Sequence, residues 1–294
     1  FKLLYSDDEV VLAYGEEDLL DYRLDYLFLT APYDSYYPES LRSSRLAGKI
    51  LLCYIPYGYN GAYNFIANNT IREFFRNIYI IFTDTIEVRE KLVKDFSGSV
   101  ERNHKKILDI GYPSLENVSI YRKNQIADRT IMWTPRWSYD SVIGGSHFFE
   151  YYNFICDIKK IYPAITLMFR PHPMMFDDYL NKKLIDEKGI EWYRRDIASK
   201  GIILDEDTDT NILLENVSVL ITDFSTLIMQ FFMTGKPIIY CASEFIRLNH
   251  DYTKLMDGIY IARNEREIET ALHQIIEEGD PLKVKRESIR EEFS

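Results

Sequence analysis

Leu220-Ile-Thr-Asp-Phe-Ser-Thr-Leu-Ile-Met-Gln-Phe-Phe-Met-Thr-Gly-Lys-Pro-Ile-Ile-Tyr240 passes from an apolar run through a small polar turn into an apolar helical stretch. A Gly235-Lys-Pro237 break and a second apolar run, Ile238 to Cys241, follow it. The order is strand, polar loop, helix, turn, strand, which is the pattern of one parallel βαβ unit. Thr222, Asp223, Ser225 and Thr226 fall where the first strand hands over to the helix. Free N–H groups and the positive end of the helix dipole make such a place an anion site, so a phosphate-bearing ligand is expected there. Ser225 and Thr226 can equally cap the helix with no ligand, and the two uses are compatible. Asp223 would repel a phosphate, and it is expected to organise the loop by accepting backbone N–H bonds.

The same alternation runs outward in both directions. Upstream, strands are expected at 130–133, 165–169, 202–204 and 217–221, with helices at about 148–161, 176–187 and 210–215. Downstream come a helix at 225–233, a strand at 237–241, a looser stretch, a strand at 258–261 and a closing helix from about 264, whose acidic and basic mixture is read as a solvated face. The first half offers strands at Val10–Ala13, Tyr26–Leu29, Lys49–Ile55, Ile78–Phe82 and Ile107–Ile110, with helices at Tyr63–Arg76 and Ile86–Asp95. A polar helical segment, Asn117 to Arg129, precedes the strand at 130. Strands alternating with helices of this length give an α/β protein with parallel, doubly wound sheets. Two Rossmann-like domains are expected, 1–125 and 126–294, facing a cleft in which a ligand meets the carboxyl ends of the strands.

Bulk properties narrow the function. The 294 residues can build one large or two ordinary domains, and no apolar run approaches the roughly 20 residues that span a bilayer. A net charge of −11 argues against a nucleic-acid partner. Cys53, Cys156 and Cys241 lie in apolar surroundings at no metal-like spacing, so they are read as reduced core thiols of a cytosolic protein. Phe1 stands where Met would begin a chain and no signal-peptide pattern follows, which reads as the edge of a longer protein.

If ligands sit at the carboxyl ends of the strands, the residues just after each strand carry the chemistry. In the second half these are Thr134-Pro-Arg-Trp137, Arg170-Pro-His-Pro173, Asp205-Glu-Asp207 and Thr222-Asp-Phe-Ser-Thr226. The prolines around His172 stiffen their turn. Arg170 can hold a phosphate in bidentate fashion and His172 can donate a hydrogen bond or a proton, whereas the plainer reading is a rigid turn whose His satisfies a backbone carbonyl. Arg136 and Trp137 offer charge and a stacking face. Gly144-Gly-Ser-His-Phe148 opens the helix near 148, with His147 either an active-site group or an ordinary first-turn residue. In the first half, Tyr57, Gly58 and Asn60 follow a strong strand and form the natural acceptor side. Asp205-Glu-Asp207 is read as a solvated turn, and no carboxylate pair has convincing metal spacing, so neither metal nor cofactor is called for.

At these residues the chain resembles the CDP-glycerol glycerophosphotransferase family, the teichoic-acid polymerases and primases, which have the GT-B fold. The matching motifs are Gly111-Tyr-Pro113, Thr134-Pro-Arg136, Arg170-Pro-His-Pro173, Thr222-Asp-Phe-Ser225 and Gly235-Lys-Pro237, in the family's order over roughly residues 45 to 265. The resemblance implies a nucleotide-diphosphate-linked donor in the second domain, with Thr134, Arg136, Arg170, His172, Thr222, Asp223, Ser225 and Thr226 around it. It implies transfer of a polyol phosphate, or of a sugar, from a CDP- or UDP-linked donor to a teichoic-acid or capsule polymer, or to a lipid-linked acceptor. The family's polymerases carry a His-Gly pair where this chain has Tyr57-Gly58, and no histidine precedes His104. A tyrosine is a poor base near neutral pH, its ordinary pKa being about 10. The remaining candidates for the acceptor's base are Asp84, Glu150 and His147, with His172 the catalytic candidate on the donor side. The resemblance places the protein in the cytoplasm. A lipid-linked acceptor favours peripheral association with the inner face of the cell membrane, although the acidic balance gives it no support. A sugar-nucleotide epimerase of the same architecture and a catalytically silent nucleotide-binding module are the alternatives.

Overall fold

A computed structural model describes residues 24–59, 69–115, 118, 129–139, 145–207, 211–244 and 246–293. The expected strand at Val10–Ala13, the start of the helix from Tyr63, and nearly all of the polar segment 117–129 lie outside the described residues. The chain divides into two compact units, one reaching Tyr112 and one running onward from Pro113.

In the first unit, β1 (Tyr26–Leu29), β2 (Leu51–Tyr54), β3 (Ile80–Thr83) and β4 (Lys106–Asp109) form a parallel sheet in chain order. Parallel neighbours need crossover connections, and the helices Asn69–Asn77 and Ile86–Asp95 supply them. One sheet face, with Leu52, Tyr54, Ile81 and Ile107, packs on Ile71, Phe74, Phe75, Val88 and Leu92 of those helices. The strand period of two sends alternate residues to the other face. There Tyr26, Phe28, Leu51 and Leu108 are exposed, while Phe28 and Phe82 stack with centroids 6.5 Å apart.

The second unit holds six parallel strands in the order β10-β9-β8-β5-β6-β7. These are β5 (Thr130–Thr134), β6 (Thr166–Phe169), β7 (Ile203–Leu204), β8 (Val219–Thr222), β9 (Ile238–Cys241) and β10 (Tyr260–Ala262). The chain builds outward from β5 through β6 to β7, then returns to the other side of β5 to lay down β8, β9 and β10. Strand order therefore reverses between β5 and β8, and connections diverge from that point to leave a crevice at the carboxyl ends. Aromatic rings fill the adjoining core: Trp133 stacks on Phe148 at 5.7 Å, and Phe148 meets Tyr193 at 5.0 Å.

Three expectations are corrected. The single helix at 176–187 is two, Met175–Asn181 and Glu187–Ser199. Lys183 takes a left-handed φ of 56°, which ends the first, and the Asp186 carboxylate accepts from the Gly189 N–H to start the second. The looser stretch after β9 contains the helix His250–Leu255, capped by Asn249. The charged region after Glu265 forms two helices, Glu265–Ile276 and Lys283–Glu291, and is more than a solvated face. Arg286 in the last helix is completely buried, donates to the Gly235 and Gly258 carbonyls at 2.8 and 3.2 Å, and pairs with Asp280. Among the described residues, no helix is long and apolar enough to cross a membrane.

Candidate functional site

The reversal point brings the ends of β5 and β8 into register, with Thr134 beside Thr222. Both residues are buried, and their hydroxyls share a 2.8 Å hydrogen bond. The loops that leave these two strands are tied together by Asp223, whose side chain is buried. One carboxylate oxygen accepts the backbone N–H groups of Arg136 at 2.8 Å and His147 at 3.1 Å, and the other meets His147 Nδ1 at 2.6 Å. Asp223 accepts backbone N–H bonds, as expected of a loop organiser. The bond to the His147 ring was not foreseen. Arg136 turns back over the same loop, donating to the Phe224 carbonyl at 3.0 Å with its guanidinium 5.8 Å from the Phe224 ring centre.

His147 is held from several sides. Gly145, two residues earlier, has φ +96°, and a Cβ there would lie 2.8 Å from Ser243 Oγ. Only glycine fits that approach without displacement. Ser146 shares a 2.7 Å hydrogen bond with the Tyr179 hydroxyl, and the His147 ring stacks on Tyr151 at 5.0 Å with planes 6° apart. Burial disfavours the charged imidazole, but the Asp223 bond and charge, helped by Glu150, outweigh it and raise the His147 pKa. Glu150 is exposed in the first turn of the helix that His147 opens. Gly144 lies outside the described residues.

The Arg170-Pro-His-Pro173 turn leaves β6 on the other side of β5. Arg170 was expected to clasp phosphate, yet its guanidinium donates to Asp205 at 2.7 Å and to the Asp207 carbonyl at 2.7 Å. Asp205 is buried as the partner of Arg170, while Glu206 and Asp207 are exposed, as expected of a solvated turn. His172 behaves unlike His147. Its Nδ1 accepts the Met174 N–H at 3.1 Å, which leaves Nε2–H as the donor. Desolvation by its surroundings and then the Arg136 charge lower its pKa, to about 4, yet the residue is exposed to water, which softens that shift. Trp137 lies 6.3 Å from the His172 ring.

Ser225 Oγ accepts from the Leu227 N–H at 3.2 Å, while Thr226 is exposed and makes no capping bond. The helix that follows, Leu227–Met233, is only seven residues long. Gly235-Lys-Pro237 is a structural turn. Gly235 has φ +80° and accepts from Arg286, and Lys236 donates to the Leu214 and Glu215 carbonyls.

In the first unit, Asp84 follows β3 and is buried. Burial, then the Asp84 charge, raises the Tyr54 hydroxyl well above its ordinary pKa. Tyr57 is exposed and Gly58 buried, while Asn60 lies outside the described residues. Gly111, at φ +69°, turns the chain so that Tyr112 donates to the Tyr57 carbonyl at 3.2 Å and sets its ring 6.1 Å from Tyr59. Gly111-Tyr-Pro113 thus fixes the loop that follows β2.

Four solved structures share this architecture at low sequence identity. UDP-GlcNAc 2-epimerase of Methanocaldococcus jannaschii, in complex with UDP-GlcNAc and UDP, matches at TM-score 0.59 and 16% identity over 89% of this chain and 72% of that one. MnaA of S. aureus with UDP matches at 0.57 and 12% identity over 89% and 70%. UDP-GlcNAc 2-epimerase of Neisseria meningitidis, bound to UDP-GlcNAc, matches at 0.57 and 14% over 91% and 72%. A variant of the wall teichoic acid polymerase TagF soaked with CDPG matches at 0.50 and 13% over 92% and 67%. These likenesses and the two parallel sheets give the chain the GT-B fold, as expected. No curated protein matches its sequence. The family model described as CDP-Glycerol:Poly(glycerophosphate) glycerophosphotransferase matches residues 90–294, which is most of the chain. The chain therefore belongs to that family of transferases.

Proposed function

We propose that this protein moves a polyol phosphate or a sugar from a CDP- or UDP-linked donor to a teichoic-acid or capsule polymer, or to its lipid-linked precursor, in the cytoplasm at the inner face of the cell membrane. The observation that carries this reading is the reversal point of the second sheet, where Thr134, Arg136, His147, Thr222 and Asp223 meet at the ends of β5 and β8. Thr134, Thr222 and Asp223 hold the loops from beneath. Arg136, the Nε2–H of His172, Ser225 and Thr226 contact the diphosphate, and Arg170 fixes the His172 turn through Asp205. Positive charge and oriented donors stabilise the negative charge that develops on the leaving nucleotide. Tyr57, Gly58 and Asn60 form the acceptor side, and a carboxylate, Asp84 or Glu150, removes the acceptor's proton. The low identity to the epimerases speaks for a shared fold and gives no preference to epimerisation.

The test is calorimetric titration of CDP-glycerol and of UDP-sugars into the protein and into Arg136→Ala, His172→Ala and Ser225→Ala. Loss of a charge-assisted contact should weaken binding about tenfold or more in the first two. Wild-type affinity in all three variants would place the donor elsewhere. Incubation with donor alone checks the chemistry, because an isomerised nucleotide sugar would replace transfer by epimerisation.

A further inference from the structure

Asp223 and His147 were read separately in the sequence, one beside the donor and the other as a base for the acceptor. Their geometry gives them a joint role. A buried carboxylate needs N–H donors or a countercharge to offset its lost hydration. Asp223 receives two backbone N–H groups and the His147 ring. With Nδ1 committed to Asp223 at 2.6 Å, the ring has only Nε2 left for a ligand. The stack on Tyr151, the Ser146–Tyr179 bond and the close approach of Gly145 to Ser243 fix the ring's direction. We propose that His147, oriented by Asp223, is a cationic donor that hydrogen-bonds the donor's diphosphate through Nε2–H, with Asp223 as its positioning residue and not itself a ligand. This rests on the donor site proposed above and removes His147 from the candidates for the acceptor's base.

The groups around the ring make the idea measurable. They are Asp223 on the β8 loop, Arg136 on the β5 loop, Glu150 and Tyr151 on the helix it opens, and Tyr179 behind Ser146. Tyr151 and Tyr179 are both raised by burial first, and His172 is held near 4, so these three keep one protonation state from pH 6 to 9. Among the groups around the ring, His147 is the one whose charge the Asp223 bond holds on, by raising its pKa from the ordinary 6.5. A nucleotide diphosphate diester has no phosphate proton to lose in this range, so the pH dependence of its affinity reports the protein.

The experiment pairs an NMR titration of the His147 ring with CDP-glycerol calorimetry from pH 6 to 9, in the full chain and in Asp223→Asn and His147→Asn. The expected result is a His147 pKa above the ordinary 6.5 that falls in Asp223→Asn. Affinity should drop about tenfold as pH rises through that pKa, and His147→Asn should bind weakly and without the pH dependence. His147→Asn retains an N–H for Asp223, and it answers the question should Asp223→Asn fail to fold. CDP-glycerol binding of constant affinity across the range would overturn this inference and leave the donor site standing. Binding of neither CDP-glycerol nor a UDP-sugar at any pH would overturn both.

Discussion

Lys105 and Lys236 occupy matching places in the two units. Each comes just before a strand, β4 or β9, and sends its ammonium to carbonyls at the end of an earlier helix. Lys105 donates to Phe75 at 2.6 Å and to Ile78, and Lys236 to Leu214 at 2.5 Å and Glu215 at 3.2 Å. A cation at a helix carboxyl end satisfies orphan carbonyls and complements the dipole. Burial lowers both pKa values, to about 8. At the opposite ends of the strands the two units part company. The second ties two loops to one buried carboxylate and sets two histidines there in different states. The first has a buried Asp84 and a tyrosine-rich loop fixed by Tyr112. Strand entrances solve a packing problem common to both sheets, and strand exits are where the chemistry was specialised.

Four substitutions probe that contrast. Arg286→Ala should have the largest effect, because Asp280 loses its cation and keeps only the Tyr260 hydroxyl, and the Gly235 and Gly258 carbonyls lose their donor; removing one partner of a buried ion pair costs about 3–5 kcal/mol. Hydrogen exchange should then quicken in β9 and in the last helix and stay unchanged in β2 and β3. Lys105→Met should destabilise the first unit by about 2–3 kcal/mol, read by urea denaturation, since two carbonyls lose their donor. Its pH dependence carries a sign. The folded pKa lies near 8, below the ordinary 10.5, so the unfolded chain holds more protons between those values. The contribution of Lys105 to stability therefore rises from about pH 8 to 10.5, and the substitution should remove that rise.

Gly145→Ala tests the strand exits. A left-handed φ and a contact at 2.8 Å should cost about 1–2 kcal/mol, with a larger loss of CDP-glycerol affinity than of thermal stability, because the His147 loop must move. Lys236→Met should be the mildest, about 1 kcal/mol, since this lysine is only partly buried. A Lys236 effect equal to that of Lys105 would contradict the difference drawn from burial.

Much of this contrast could be read in the sequence where it depended on neighbouring residues. The apolar run before Thr222 and the helical stretch after it announced β8 and its helix, and β1 and the helices Ile86–Asp95 and Phe148–Ile161 fell at their expected bounds. Strand order was hidden, because a local pattern says what an element is and not what lies beside it. Partnerships across long sequence separations were hidden for the same reason. Arg170 looked available to phosphate because Asp205 lies 35 residues away, and the ring partner of Asp223 is 76 residues distant. Arg286 resembled any charged residue of a surface helix, since its Gly235 partner is 51 residues earlier. The one legible sign of the His147 loop was Gly144-Gly145 before a helix, and the need for glycine at 145 emerged only with Ser243 beside it.

The most direct measurement is a crystal structure of the protein with CDP-glycerol. The account predicts diphosphate oxygens within about 3 Å of Arg136, His147 Nε2 and His172 Nε2, at the ends of β5, β6 and β8. A diphosphate bound away from those strand ends, with Asp223 and His147 untouched by the ligand, would contradict it.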